Sequence, residues 1–330
     1  MVDWVKKQII PRADLIAWHH HVPGESANNI AYDYSGADRY IFCTAGAGAP
    51  VIQANLLNGQ SGWYFDGTKD PLARSVSVTP KHIFILAAAN EATFATYRGL
   101  LSGVTTGDIL VGDSGTNKFY NLYGGSSMVY KKSGVQHDLN AMLAPMSGNF
   151  ELIEVSWVDG FPSNGIQVGQ QKGDTSRKFK GWWIDQQLYS TVQGELPVER
   201  IYRYYAMRYQ VWQKSTSGLY VFPFAANRTR SEERDREHYL SEPYDGDPKA
   251  LVRGGFEGRY SLPFMLREQE EFIAAKAFFD QHYPLGKFVF RDYRYYPYKE
   301  ITGRFASPFR EQGSDVTYRF NYSFDIAETT

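Results

Sequence analysis

The stretch Val316-Thr317-Tyr318-Arg319-Phe320-Asn321-Tyr322-Ser323-Phe324-Asp325-Ile326 places an apolar residue at every second position without a break. Successive side chains of an extended chain point to opposite faces, so this period predicts a strand with one dry and one wet face. Working upstream, Gly255 to Phe264 alternates through Phe256, Tyr260 and Leu262, and Lys287 to Phe290 gives a further short strand, which together assemble a small sheet or barrel. Between them Glu268 to Tyr283 has helical spacing: Phe272, Ala275, Phe279 and Tyr283 line one side, and Glu268, Glu270 and Glu271 stand where the positive helix end favours acids.

All seven tryptophans lie at or before Trp212, while from Gly218 onward about one residue in five is Phe or Tyr. Two different cores are implied. The polar run Gln213 to Gly218 has the composition of a joint buried by neither, so the expected domains are residues 1–214 and 219–330. In the first, Trp63 to Phe65, His82 to Ala87, Ile109 to Val111, Leu152 to Val158 and Gly181 to Tyr189 have strand length. Turn-formers such as Asn58-Gly59, Asp66-Gly67 and Asp159-Gly160 punctuate them, the pattern of an antiparallel sandwich. Leu196 to Trp212 reads as a helix with Pro197 in its first turn, and Ile201, Tyr205, Tyr209 and Trp212 recur on one face as core.

With 43% hydrophobic and 22% charged residues, the 330-residue chain has apolar material for two cores without the composition of disorder or of a membrane protein. A net charge of -1 gives no basic face, so neither nucleic-acid recognition nor membrane insertion is expected. Met1 to Ile10 lacks the apolar core of a secretion signal, which points to synthesis in a cytosol. The lone Cys43, beside Tyr40, Ile41 and Phe42, excludes an intrachain disulfide and reads as a small hydrophobe.

Reactive constellations are scarce. Glu151 and Glu154 are an odd number of residues apart and so face opposite sides of a strand, and Asp159 falls in a turn. A retaining glycosidase needs two carboxyls about 5 to 5.5 Å apart on one face, so catalysis is not expected. His19 and His21 share a face while His20 points away, too few ligands for a closed zinc site. Calcium between Asp66 and Asp70 or between Asp108 and Asp113 competes with turn capping, the simpler reading, and Asp245-Gly246-Asp247-Pro248 is a turn of the same kind. No cofactor is called for. Candidate contacts for a glycan or partner are the aromatics Trp63, Tyr120, Tyr123 and Tyr130. Tyr293, Tyr295, Tyr296 and Tyr298 form a tyrosine-rich loop suited to a protein interface, and the mixed charges of Arg228 to Glu237 read as a solvated strand or hairpin.

Leu15-Ile16-Ala17-Trp18 with Ala31-Tyr32-Asp33-Tyr34-Ser35-Gly36, then Trp63-Tyr64-Phe65-Asp66-Gly67-Thr68, then Trp182-Trp183-Ile184 to Leu188-Tyr189 before Leu196-Pro197-Val198-Glu199-Arg200, resemble in order the concanavalin A-like, or laminin-G-like, jelly-roll family. His19 to His21 and the Leu196-Pro197 helix start depart from that pattern. Tyr260-Ser261-Leu262-Pro263-Phe264, Gly286-Lys287-Phe288-Val289-Phe290-Arg291-Asp292 and Gly303-Arg304-Phe305 before the closing strand resemble the tail-tube-like domains of bacteriophage tail and baseplate proteins, distal tail proteins among them. The implied fold is mainly β: a jelly-roll β-sandwich followed by a small α+β tail-tube-like barrel with one packed helix. The implied function is that of a non-enzymatic virion structural protein of a phage tail or baseplate. Its partners would be copies of itself in a trimeric or hexameric ring, other tail proteins and a host surface glycan. A carbohydrate-binding adhesin is the alternative, and a glycoside hydrolase the least favoured reading.

Overall fold

The computed structural model describes residues 10–24, 27–105, 107–120, 128–138, 142, 144–145, 149–161, 163–226, 231–233, 256–292, 298–312 and 319–329. The chain is mainly β, with several antiparallel sheets and two helices among the described residues. It forms two compact units, Met1–Tyr204 and Tyr205–Thr330.

The first unit contains β1 (Leu15–His20), β2 (Ile30–Ala31), β3 (Ile41–Phe42), β4 (Val51–Leu57), β5 (Gln60–Asp66), β6 (Leu72–Arg74), β7 (His82–Ala89) and β8 (Arg98–Ser102). After these come β9 (Asp108–Gly112), β10 (Phe119–Tyr120), β11 (Met128–Lys132), β12 (Val135–His137), β13 (Glu151–Trp157), β14 (Ile166–Val168) and β15 (Lys180–Tyr189). One sheet runs β12-β11-β13-β7-β15-β5-β4, with β1 also paired to β15, and the other runs β10-β9-β8-β14-β6-β3-β2. Both are antiparallel, and the five expected strands recur with ends shifted by at most three residues. Asn58-Gly59 does close a two-residue hairpin, with Leu57 opposite Gln60 and both turn residues at positive φ.

Alternation decides the core. Along β7, Ile83, Ile85, Ala87 and Ala89 join Ile153 and Val155 of β13 and Trp63 and Phe65 of β5 in one apolar cluster. Leu72, Leu101, Ile109, Leu110 and Val168 of the second sheet complete it, so the inward faces of the two sheets share a core. The opposite face of the first sheet is divided. Part of it lies under the first turns of α1 (Glu195–Tyr209), where Tyr204 meets Trp18 edge-on at 5.6 Å and Tyr202 meets Phe84 at 6.5 Å.

The helix expected to reach Trp212 stops at Tyr209. Gln210 takes a positive φ of 55°, and the Val211 N–H turns back to the Tyr205 carbonyl, a left-handed C-terminal cap. The expected core face of Ile201, Tyr205, Tyr209 and Trp212 is buried. The polar run after it is divided: Thr216, Ser217 and Gly218 are exposed, while Gln213 to Ser215 are held. Ser215 is buried and bonded to the Leu219 carbonyl, Lys214 bridges Tyr220, and the Gln213 side chain accepts from Arg291. The compact units part at Tyr204/Tyr205, within α1.

The second unit holds β16 (Ser231–Glu233), β17 (Phe256–Glu268), α2 (Gln269–His282), β18 (Phe288–Asp292), β19 (Lys299–Phe305), β20 (Arg310–Gln312) and β21 (Arg319–Thr329). Its sheet runs β16-β17-β21-β19-β18, with β20 also on β21. The opening stretch is therefore an interior strand from Arg319 on, while its residues 316–318 lie outside the described residues. Arg319 is exposed on the expected wet face, but Asp325 is buried, with its carboxylate paired to Arg310 at 2.7 Å. Among the described residues the ladders form an open sheet, not a closed barrel. The outer edge of β18 pairs with the chain at Tyr220 to Phe222.

Helix α2 lies on the aromatic face of this sheet: Phe272 stacks on Phe320 at 4.7 Å and Phe279 packs on Phe305 at 4.5 Å. Tyr283 departs from its expected place on the helix face. It is the extended residue after the last turn, partly exposed, with its ring stacked on Phe279. The core residue that spacing missed is Phe278, which is fully buried. Most of the mixed-charge stretch and all of Asp245 to Pro248 lie outside the described residues.

Candidate functional site

The candidate contact residues separate sharply. Trp63 is completely buried against Trp183, with ring centroids 4.8 Å apart, and its indole N–H donates to the Ala27 carbonyl. Tyr130 is buried too, and burial pushes its hydroxyl well above the usual phenol range. Both are core, which corrects the expectation that their rings are presented to a ligand. Tyr120 is in β10, but its side chain is outside the described residues, as are Tyr123, Tyr293, Tyr295 and Tyr296 entirely. Tyr298 is half-buried, and the Arg291 guanidinium lies 4.5 Å over its ring.

The acidic candidates are structural. Glu154 projects from the outer face of the first sheet, as the odd spacing from Glu151 requires, and is buried beneath α1. Its Oε1 accepts from Lys131 Nζ at 2.8 Å and from His82 Nε2 at 3.1 Å, and its Oε2 accepts from the Tyr202 hydroxyl at 3.0 Å. The Gln193 backbone N–H donates to His82 Nδ1, so the ring proton sits on Nε2, aimed at the carboxylate. Burial works to raise the Glu154 pKa, but the His82 hydrogen bond and the Lys131 charge outweigh it and hold the carboxyl below its usual range. Glu151 pairs with Lys132 at 3.2 Å, and Asp159 is exposed in its turn.

The histidines divide by face as expected, with His19 beside Trp183 and His21 beside Trp63, while His20 stacks on Tyr34. His19 is a core residue: its Nε2 bonds the Arg39 carbonyl at 2.7 Å and its Nδ1 accepts from Gln186, and burial lowers its pKa. Among the described residues no three His, Cys, Asp or Glu side chains are grouped to hold a metal ion. Asp66 and Asp113 cap turns through Thr68 and Thr116. Asp70 instead pairs with Lys178, and buried Asp108 clamps Gln171 and the Lys172 N–H. Cys43 packs at the edge of the core, and burial, with the Asp70 charge, pushes its thiol up to about 11. A thiolate is thereby disfavoured.

What the sequence reading passed over lies beside the buried aromatics. A strand that turns Trp63 and Phe65 inward must turn Tyr64 outward, and one that turns Trp183 inward must turn Trp182 outward. On that outward face Tyr64 and Trp182 are half-buried neighbours, with ring centroids 5.2 Å apart and planes inclined by 40°. Phe150 meets Trp182 edge-on at 6.0 Å. The Trp182 indole N–H donates to Gln53 Oε1 at 2.6 Å, and Asn90 Nδ2 donates to the Tyr64 hydroxyl at 2.9 Å. The result is an aromatic shelf with amide groups along it. Adjacent aromatics within one strand were the signal, since alternation obliges one of each pair to face away from the core.

Among the described residues no helix is long and apolar enough to cross a membrane. Set against protein-family models, curated proteins and solved structures, the chain matches none of them.

Proposed function

We propose that this chain is a non-enzymatic structural protein of a bacteriophage tail or baseplate, whose second unit assembles copies of itself into a ring and whose first unit is a contact module turned outward. The observation that carries the assembly reading is strand β20: Arg310, Glu311 and Gln312 are all exposed, and among the described residues the strand has β21 as its one ladder partner. An edge of this kind leaves backbone N–H and C=O groups to be paired by another chain, and a ring pairs every such edge by symmetry. The tail-tube-like resemblance of the second unit supplies the virion setting. The tyrosine-rich loop from Tyr293 to Tyr298 is the further interface element in this reading.

The expected result is that full-length protein runs in light scattering at the mass of a trimer or hexamer, and that electron micrographs show rings. Changing Tyr295 and Tyr296 together to serine should shift the population towards monomer. A protein that remains monomeric at high concentration sinks the reading. The second reading, a carbohydrate-binding adhesin, is favoured by the aromatic shelf of Tyr64 and Trp182 and differs only in what the first unit touches.

A further inference from the structure

We infer that the face of the first sheet carrying Trp182 and Tyr64 is a binding site for a neutral glycan, a chain of pyranose units lying across the two rings. The inference rests on the reading of the first unit as a contact module and names its ligand class. The two rings, 5.2 Å apart and inclined by 40°, carry apolar faces of the kind that match the C–H faces of sugar rings. These rings are also fixed in advance, Trp182 by its bond to Gln53 and Tyr64 by its bond from Asn90, so little side-chain freedom remains to be lost on binding.

The same bonds leave specific valences over. With Oε1 occupied, Gln53 still has its Nε2 donors; Asn90, with Nδ2 occupied, keeps Oδ1 as an acceptor; and the Tyr64 hydroxyl, which accepts from Asn90, keeps its own proton to donate. Donors and an acceptor beside an aromatic face suit hydroxyl groups, which both give and receive. A wholly apolar partner would bury all three without compensation.

Charge selects against an ionic ligand. Along the rim Glu91 is bonded to Arg98 at 2.7 Å with Lys180 Nζ 3.9 Å away, and Asp66 accepts from Thr68 with Lys69 at 3.8 Å. Each of these five rim charges thus has an opposite charge within 4 Å, with two acids serving three bases. An ionic sugar would have to compete with these existing pairs.

The test uses the full-length protein, titrated with linear neutral hexasaccharides of glucose, mannose and galactose, by calorimetry and tryptophan fluorescence. At least one should bind, and Trp182→Ala should weaken it about tenfold, the loss of one ring stack. Gln53→Ala and Tyr64→Phe should each weaken it by several-fold, about the value of one hydrogen bond. Phe42→Ala, at an exposed ring on the other sheet, should leave it unchanged. Binding of none of the three sugars, or affinity unaltered by Gln53→Ala and Tyr64→Phe, overturns the assignment even where Trp182→Ala does not fold. Light scattering on the same samples separates the two readings. Rings without sugar affinity overturn only the shelf, and sugar affinity in a monomer overturns only the assembly.

Discussion

Replacing Glu154 by alanine is expected to destabilise the first unit by roughly 3 to 5 kcal/mol, the cost of stripping the partner from buried charged and polar groups. His82, Lys131 and Tyr202 all donate to this one carboxylate, and His82 is in turn held by the Gln193 N–H ahead of α1. Removing the acid leaves three donors facing a void between the sheet and the helix. Tryptophan fluorescence in a urea titration reads this unit, because every tryptophan except Trp212 belongs to it. The pH dependence follows from the depressed carboxyl. A group with a folded pKa below its unfolded value binds fewer protons when folded, so its stabilisation is complete above the unfolded value, about 4.3 for Glu. That stabilisation is lost as pH falls through the folded value. Wild type should therefore lose stability on acidification below about pH 5 more steeply than Glu154→Gln does. Equal midpoints for wild type and Glu154→Ala would show that the cluster is not a lock on α1. Hydrolysis of any polysaccharide that disappears with Glu154→Gln would instead make this carboxylate catalytic.

Phe222→Ala should cost the second unit about 3 to 5 kcal/mol, the range for a large aromatic removed from a core that cannot collapse around the gap. Phe222 is completely enclosed: its ring centroid lies 5.2 Å from Phe324, 5.3 Å from Phe278, 5.6 Å from Phe264 and 5.7 Å from Phe224. It therefore ties the segment that pairs with β18 to α2, β17 and β21 at once. Amide hydrogen exchange along α2 is the measurement. Protection of Phe278 and Phe279 should fall by two or more orders of magnitude, since about 1.4 kcal/mol corresponds to each factor of ten. Unchanged exchange there would mean that Phe222 packs on the sheet without holding the helix.

The sequence was most legible where one period runs unopposed. Strand β21 and helix α2 were readable from a repeating period, whereas β7, β13 and β15, buried along almost their whole length, were readable as apolar runs between turn-formers, as was the shorter run in β5. Short strands such as β2, β3 and β10 span two residues each, fewer than any period needs in order to repeat. In the run Gln213 to Gly218 the exposed Thr216 to Gly218 agree with its composition, and buried Ser215 departs from it for a different reason. Serine and lysine look like a solvated joint, yet hydroxyls can be buried wherever backbone carbonyls receive them, as Leu219 receives Ser215.

By itself the chain determined its mainly β character, the place of α2, the separation of Glu151 from Glu154 and the opposed faces of His19 and His20, because all of these follow from spacing along one element. Tertiary structure alone decided which member of each aromatic pair went to the core, since alternation requires Trp63 and Tyr64 to part but does not say which faces the second sheet. It alone made Glu154 the centre of a buried cluster, because His82 and Tyr202 come to it from distant strands and helices whose pairing no local period records. The shelf also waited on the fold: Tyr64 and Trp182 meet only because β5 pairs with β15 in that register, and the pairing of strands more than a hundred residues apart is a property of the packed sheet, not of either strand's own sequence.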